Sequence, residues 1–169
     1  MKRVLVLFVV VFGLYSCNEI LGKVEFEKVK WDDREATIKN VDTLTSGQSY
    51  LSIYSQINSY SHKKIYNLTA MVSLRNTSIK DSIYLFKIDY FDSDGSLFKS
   101  YIDNPIFIRP METVDIVIDE VEVAGGTGPN FILDWKTPEN CPEPIFEGVM
   151  TSTSGQQGLS FITQAKRIK

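Results

Sequence analysis

Four acidic residues cluster in the last third of the chain: Asp134, Glu139, Glu143 and Glu147. Two carboxylates about 5–9 Å apart can divide acid and base work across a glycosidic bond. Glu147 with Asp134 is the pair that would form such a centre. Glu147 is the most informative of the four, because Ile145-Phe146 precede it and Val149-Met150 follow it. A carboxylate on such a strand faces water or needs a cationic partner. Arg75 is the candidate, and an Arg75–Glu147 pair is the structural alternative to catalysis. Histidine chemistry has little material. His62 is the only histidine and sits in the polar stretch Ser59-Tyr-Ser-His-Lys-Lys, so neither a Ser-His-Asp triad nor a multi-histidine metal site can be assembled.

Three loops complete the chemical inventory. Asp92-Ser93-Asp94-Gly95 has the start of a calcium loop, but Leu97 and Asp103 stand where an EF-hand needs glycine and glutamate. A hairpin turn explains it better, with Gly95 at positive φ. Gly125-Gly126-Thr127-Gly128 could offer backbone N–H groups to an anion. No helix pattern or basic residue follows, so tight backbone geometry before a strand at Phe131 is the preferred reading. Gly155-Gln156-Gln157-Gly158 is a glycine-bounded turn whose amides both donate and accept. Arg75, Asn130, Glu147, Gln156 and Gln157 are therefore the candidate contacts for a ligand or partner. No metal ligand set and no cofactor is expected.

The two cysteines differ in context. Met1-Lys2-Arg3 and the apolar run Val4–Leu14 read as a signal peptide, since eleven helical residues span only about 17 Å of a ~30 Å hydrocarbon core. Leu14-Tyr15-Ser16-Cys17 resembles a bacterial lipobox. That resemblance implies cleavage after Ser16 and lipidation of Cys17, with membrane attachment through several acyl chains. Asn18 follows the cysteine in place of the aspartate that retains some lipoproteins at the inner membrane, so the outer membrane is favoured. Cys141 is then left without a disulfide partner, and a cysteine-based zinc site is excluded. Removing Lys2 and Arg3 with the signal leaves 16 basic against 21 acidic residues. Such a balance gives no footprint for nucleic acid.

The elements that must position these residues are strands. Hydrophobic content of 43% with 10 Phe and 8 Tyr is globular and strand-leaning. Residues 17–47 read as a lipidated tether, with a thin alternation at Val24–Glu27 and a turn over Thr43–Gly47. From 48 to 169 strand signals recur at short intervals. Ser49–Asn58 opens the series and Tyr66–Leu74 alternates cleanly. Ile83–Phe91 is apolar on both faces, as a central strand would be. Leu97–Ile102, Ile106–Ile108, Thr113–Ile118, Asn130–Trp135, Ile145–Thr151 and Leu159–Thr163 follow. The pattern predicts an all-β, immunoglobulin-like β-sandwich, with a small β-barrel as the alternative.

Five motifs appear in a fixed order: Ser73-Leu74-Arg75-Asn76-Thr77, Asp89–Gly95, Gly125–Phe131, Pro144–Met150 and Gly155–Phe161. Together they resemble the bacterial domain of unknown function numbered 3124, over roughly residues 48–168. The resemblance implies an exported or lipid-anchored protein and no assigned activity. Gln56 follows Tyr54-Ser55 where relatives tend to carry histidine, and Pro129 stands where they tend to carry alanine. Any role of that histidine is absent from this chain. The expected function is a non-enzymatic, lipid-anchored envelope module that binds a protein or a small ligand. A carboxylate-dependent hydrolase and a structural assembly subunit are the rivals.

Overall fold

The computed structural model describes residues 29–58, 61–122, 125–153 and 158–169. The signal peptide, Cys17, Gln156 and Gln157 lie outside the described residues. The architecture is an all-β sandwich. In chain order the strands are β1 (Thr45–Ser52), β2 (Gln56–Asn58), β3 (Ile65–Asn67), β4 (Thr69–Arg75), β5 (Ile83–Phe91), β6 (Leu97–Ser100), β7 (Ile106–Ile108), β8 (Thr113–Ile118), β9 (Asn130–Thr137), β10 (Ile145–Ser152), β11 (Leu159–Gln164) and β12 (Lys166–Arg167). One sheet runs β12-β1-β9-β5-β6, with β7 also paired to β5. The facing sheet runs β11-β10-β4-β8, and β2-β3 form a separate hairpin. All pairings are antiparallel.

The period-two alternation is what builds the two inner faces. Along β9 Phe131, Leu133, Trp135 and Thr137 are buried and their neighbours are not, and β8 buries Val114, Ile116 and Ile118 in the same rhythm. The two sets meet between the sheets with Leu51, Ile53, Leu74, Ile83, Ile88 and Tyr90, all fully buried. Each such side chain contributes about 1.5–3 kcal/mol when removed from water. β5 departs from strict alternation. Leu85 and Ile88 both point inward, and the ladder shifts register between Leu85 and Lys87. Phe86 is the extra residue of this bulge, and the shift keeps Lys87 on the outer side, where strict alternation would turn it inward.

Three details differ from the sequence reading. Tyr66–Leu74 is not one strand: Leu68, fully buried, separates β3 from β4. The alternation runs on unbroken while the hydrogen-bonding partner changes from β2 to β10 and β8. Of the turn expected at Thr43–Gly47, Thr43 closes a 3-10 turn over Val41–Thr43, but Thr45–Gly47 already belong to β1, where Gly47 is a close-approach residue. A Cβ at Gly47 would lie 2.2 Å from Trp135 Cζ2, so the indole occupies the space a side chain would need. Trp135 Nε1 donates to Ser49 Oγ at 3.0 Å, which fixes the ring. The described part of the expected tether lies against the sandwich. Val29 and Trp31 pack on the core, and Trp31 meets Tyr101 edge-on at 6.4 Å. Glu35 bridges Ile106, Ala36 N donates to Pro105 O, and Arg34 pairs with Glu112 at 2.9 Å.

Asn76 locks the exit of β4. Its Nδ2 group lies within hydrogen-bond distance of the carbonyls of Asp81, Ile108 and Arg109, and its Oδ1 accepts from Ser78 N. Its short polar side chain thus satisfies backbone groups that a crossing loop would otherwise leave unpaired.

Candidate functional site

The two carboxylates of the hydrolase reading are far apart. Asp134 is on β9 and Glu147 on β10, each at an outward position of its own sheet. Two packed sheets lie ~10 Å apart, so the groups are on opposite outer surfaces of the sandwich and cannot flank one bond. The sequence offered them as neighbours because they are 13 positions apart, but the chain changes sheet between them. His62 is exposed in the loop joining β2 and β3.

Glu147 is held by the partner that the sequence suggested. Arg75 Nε lies 3.2 Å from Glu147 Oε2. Ile145, two residues before Glu147, stands directly across the ladder from Arg75. Gln164 Nε2 approaches Glu147 Oε1 at 3.4 Å, and Arg75 Nη1 reaches Thr113 Oγ1 at 3.4 Å. Beside them Ser73 Oγ donates to Asp115 Oδ1 at 2.6 Å. The polar row Asp115–Ser73–Glu147–Gln164 therefore crosses the four-stranded sheet with each carboxylate engaged. Next to it runs an apolar row, Val117–Met71–Val149–Ile162, whose ends are 49% and 61% exposed.

The glycine loop is occupied by its own serines. Ser93 N and Ser93 Oγ both donate to Gly125 O at 2.9 Å, and Gly128 N donates to Ser93 Oγ at 2.8 Å. Ser55 Oγ donates to Gly126 O. Gly125 is pressed onto Tyr90, where a Cβ would come 2.3 Å from the hydroxyl. Burial, with Glu122 nearby, pushes the Tyr90 hydroxyl up to about 12 and raises that of Tyr101 further. The Asp92–Gly95 segment closes the β5–β6 hairpin: Asp92 Oδ1 accepts from Asp94 N and Ser96 N, and Gly95 has φ +82°. Cys141 is half-buried, and burial raises its thiol above the usual range, which disfavours the reactive thiolate.

The sequence missed a cleft that the described residues form. On the outer face of the six-stranded sheet, a cleft of about 530 Å³ is lined by residues that include Gln48, Phe86, Lys87, Asp134, Lys136 and Lys169. Three strands, β1, β5 and β9, and Lys169 beyond β12 build it. β1 brings Gln48 directly across from Asp134 on β9, and Gln48 Nε2 donates to Asp134 Oδ1 at 2.6 Å. Phe86 follows the inward Leu85 onto the outer face, and the β5 bulge sets Lys87 across from Asp134. Lys136 Nζ stands 5.1 Å from the Phe86 ring centre. Lys169 joins through its backbone, which exchanges hydrogen bonds with Gln48. Arg167 covers Trp135 from one side at 5.2 Å. The one local signal for this site was the broken alternation of Leu85 and Ile88, which marks a bulge.

Of the candidate contacts, Asn130 is half-buried at the head of β9 on this same sheet. Arg75 and Glu147 are on the other sheet. The structure thus brings Arg75 and Glu147 together and leaves Asn130 apart from them.

The family described as protein of unknown function (DUF3124) matches residues 46–168. Among curated proteins none matches the chain. Among solved structures, a crystal structure of Thermotoga maritima 1070 is similar at 10% identity over 71% of this chain and 92% of its own, with a TM-score of 0.44.

Proposed function

The chain belongs to the DUF3124 family of proteins of unknown function, and from that premise we propose that it is a non-enzymatic binding module, anchored to the cell envelope by lipid on Cys17. The cleft of the six-stranded sheet is its ligand surface. One observation carries this reading: Lys87 and Lys136 border a partly apolar cleft and form no ion pair among the described residues. Elsewhere Arg34, Arg75 and Arg167 are each paired with a glutamate. Unpaired cations in a concave site raise the local concentration of anionic ligands. The outer membrane is the proposed location, from Asn18 after the lipidated cysteine. Arg75 and Glu147 act in this reading as a structural pair, and Asn130, Gln156 and Gln157 stay as candidate partner contacts.

Two measurements test it. Cys17→Ala should move the protein from the membrane to the soluble fraction; continued membrane association would refute the anchor. Immobilised wild-type protein should retain an envelope component that the Lys87→Gln/Lys136→Gln double variant does not. Equal retention by both, or none by either, would refute the cleft as the ligand surface.

A structural role in an assembly has one observation of its own, the apolar row Val117–Met71–Val149–Ile162 across the four-stranded sheet, half-buried in the middle and exposed at both ends. Contiguous exposed apolar surface marks interaction sites. Ile162→Lys should break that association while leaving the monomer folded. An unchanged sedimentation profile at high protein concentration would remove this reading.

A further inference from the structure

We infer that the cleft takes an acidic sugar: a hydroxylated ring carrying a carboxylate or a phosphate. The inference rests on the binding-module reading and names the ligand class of the same site. Three chemistries meet there, and each by itself would fit a different ligand.

The first is positive charge. Lys87 and Lys136 border the cleft in a chain whose net charge is −3, so the cationic character is local. Lys87 stands directly across the ladder from Asp134, yet the two do not close into an ion pair. An opposite-charge pair facing each other across strands normally gains from contact. Here the ammonium is left for something else.

The second is a fixed acceptor. Gln48 Nε2 holds Asp134 Oδ1 at 2.6 Å, which orients the carboxylate and leaves its other oxygen and Gln48 Oε1 as acceptors. A bare anion gains nothing from a carboxylate in its site and is repelled by it. A ligand with hydroxyl groups donates to it. The combination of lysines and an oriented acid therefore selects a molecule that carries both a negative group and O–H donors.

The third is an apolar wall. Phe86, next after the inward Leu85, lines the cleft, with Lys136 Nζ 5.1 Å from its ring centre. The ring offers an apolar surface to the C–H groups of a sugar, and the ammonium stands beside it for the charged substituent. A volume of about 530 Å³ falls within the usual range for small-molecule sites.

The test uses the full-length chain in detergent and calorimetric titration with four probes: D-glucuronate, glucose 6-phosphate, glucose and inorganic phosphate. At least one acidic sugar should bind saturably and tenfold or more tightly than glucose or phosphate, and the stronger of the two identifies the charged group. Lys87→Gln/Lys136→Gln should weaken that binding tenfold or more with an unchanged melting temperature. Asp134→Asn should weaken acidic-sugar binding and strengthen that of inorganic phosphate, because repulsion is removed along with the hydroxyl acceptor. Phosphate binding as tightly as glucose 6-phosphate would overturn the sugar assignment and leave a site for charge alone. Undiminished binding in the lysine double variant would overturn the location. If neither acidic sugar binds to folded wild-type protein, the ligand class is wrong. The binding-module reading then still stands or falls on the retention experiment above.

Discussion

The two outer faces of the sandwich carry similar residues and treat them differently. On the four-stranded sheet Arg75 meets Glu147, Gln164 extends the contact, and Ser73 meets Asp115. Charge there is consumed within the sheet. On the six-stranded sheet Lys87 and Lys136 border a cleft and pair with no acid among the described residues, although Asp134 is close by. The difference shows that a count of acidic and basic residues says little about where a ligand would bind. What matters is which charges the fold leaves without internal partners.

The comparison can be broken from the structural side. Asn76→Ala should have the largest effect, a loss of about 3 kcal/mol measured by chemical denaturation. It removes the two amide protons shared among three carbonyls and the acceptor of Ser78 N, in a partly buried loop, and an unsatisfied buried group costs about 1–3 kcal/mol. Binding at the cleft should survive under conditions where the variant is folded. A loss below ~1 kcal/mol would mean that the loop is not held from Asn76.

Gly47→Ala comes next. The new methyl would meet the indole of Trp135 at 2.2 Å, below any real contact, so ring or strand must shift. Overpacking of this kind costs about 1–3 kcal/mol. Because Gly47 and Trp135 also line the cleft, ligand retention should fall together with stability. Intact retention would separate the cleft from the strand beneath it.

The edge pair Arg34–Glu112 gives the comparison a pH dimension. The hydrogen bond from Arg34 holds the Glu112 carboxyl below its ordinary range, helped by the backbone N–H of Arg109 and by both positive charges, against some opposing burial. A carboxyl lowered in the folded state adds stability above its unfolded pKa, and that increment is lost as pH falls through the folded value. Glu112→Gln should therefore cost up to about 1 kcal/mol at neutral pH, discounted because both side chains are about one-fifth exposed. It should cost nothing in strong acid. An equal loss at pH 7 and pH 2 would refute the pairing.

The smallest effects sharpen the contrast between the faces. Glu147→Gln should lower stability by less than about 1 kcal/mol, since Arg75 is 43% exposed and solvent screens the pair. Lys87→Gln should change stability by no more than ~0.5 kcal/mol while lowering retention at the cleft. An unchanged melting temperature for Glu147→Gln, or a clear drop for Lys87→Gln, would reverse the description of which face is internally paired.

Much of this was legible in the residues themselves. Alternation in Thr113–Ile118 and in Asn130 onward placed strands where the structure has them, because a strand's period of two is set by a single chain's geometry. Gly95 marked its hairpin because positive φ is a local demand. The Arg75–Glu147 contact was also accessible, since a carboxylate between apolar residues on a strand needs water or a cation. The order and types of the elements were thus determined by sequence.

What sequence left open was which segments lie side by side. Gly47 looked like a turn residue until Trp135, 88 positions later, was laid across it. Asp134 and Glu147 looked like neighbours until the chain crossed from one sheet to the other between them. The cleft joins Gln48, Lys87 and Asp134, whose contact depends on strand pairing between segments distant in sequence. Pairing and register follow from the packing of all inner faces at once, so no local pattern encodes them. The sequence determined a β-sandwich and its charges; tertiary structure alone decided which of those charges would be left facing a cleft.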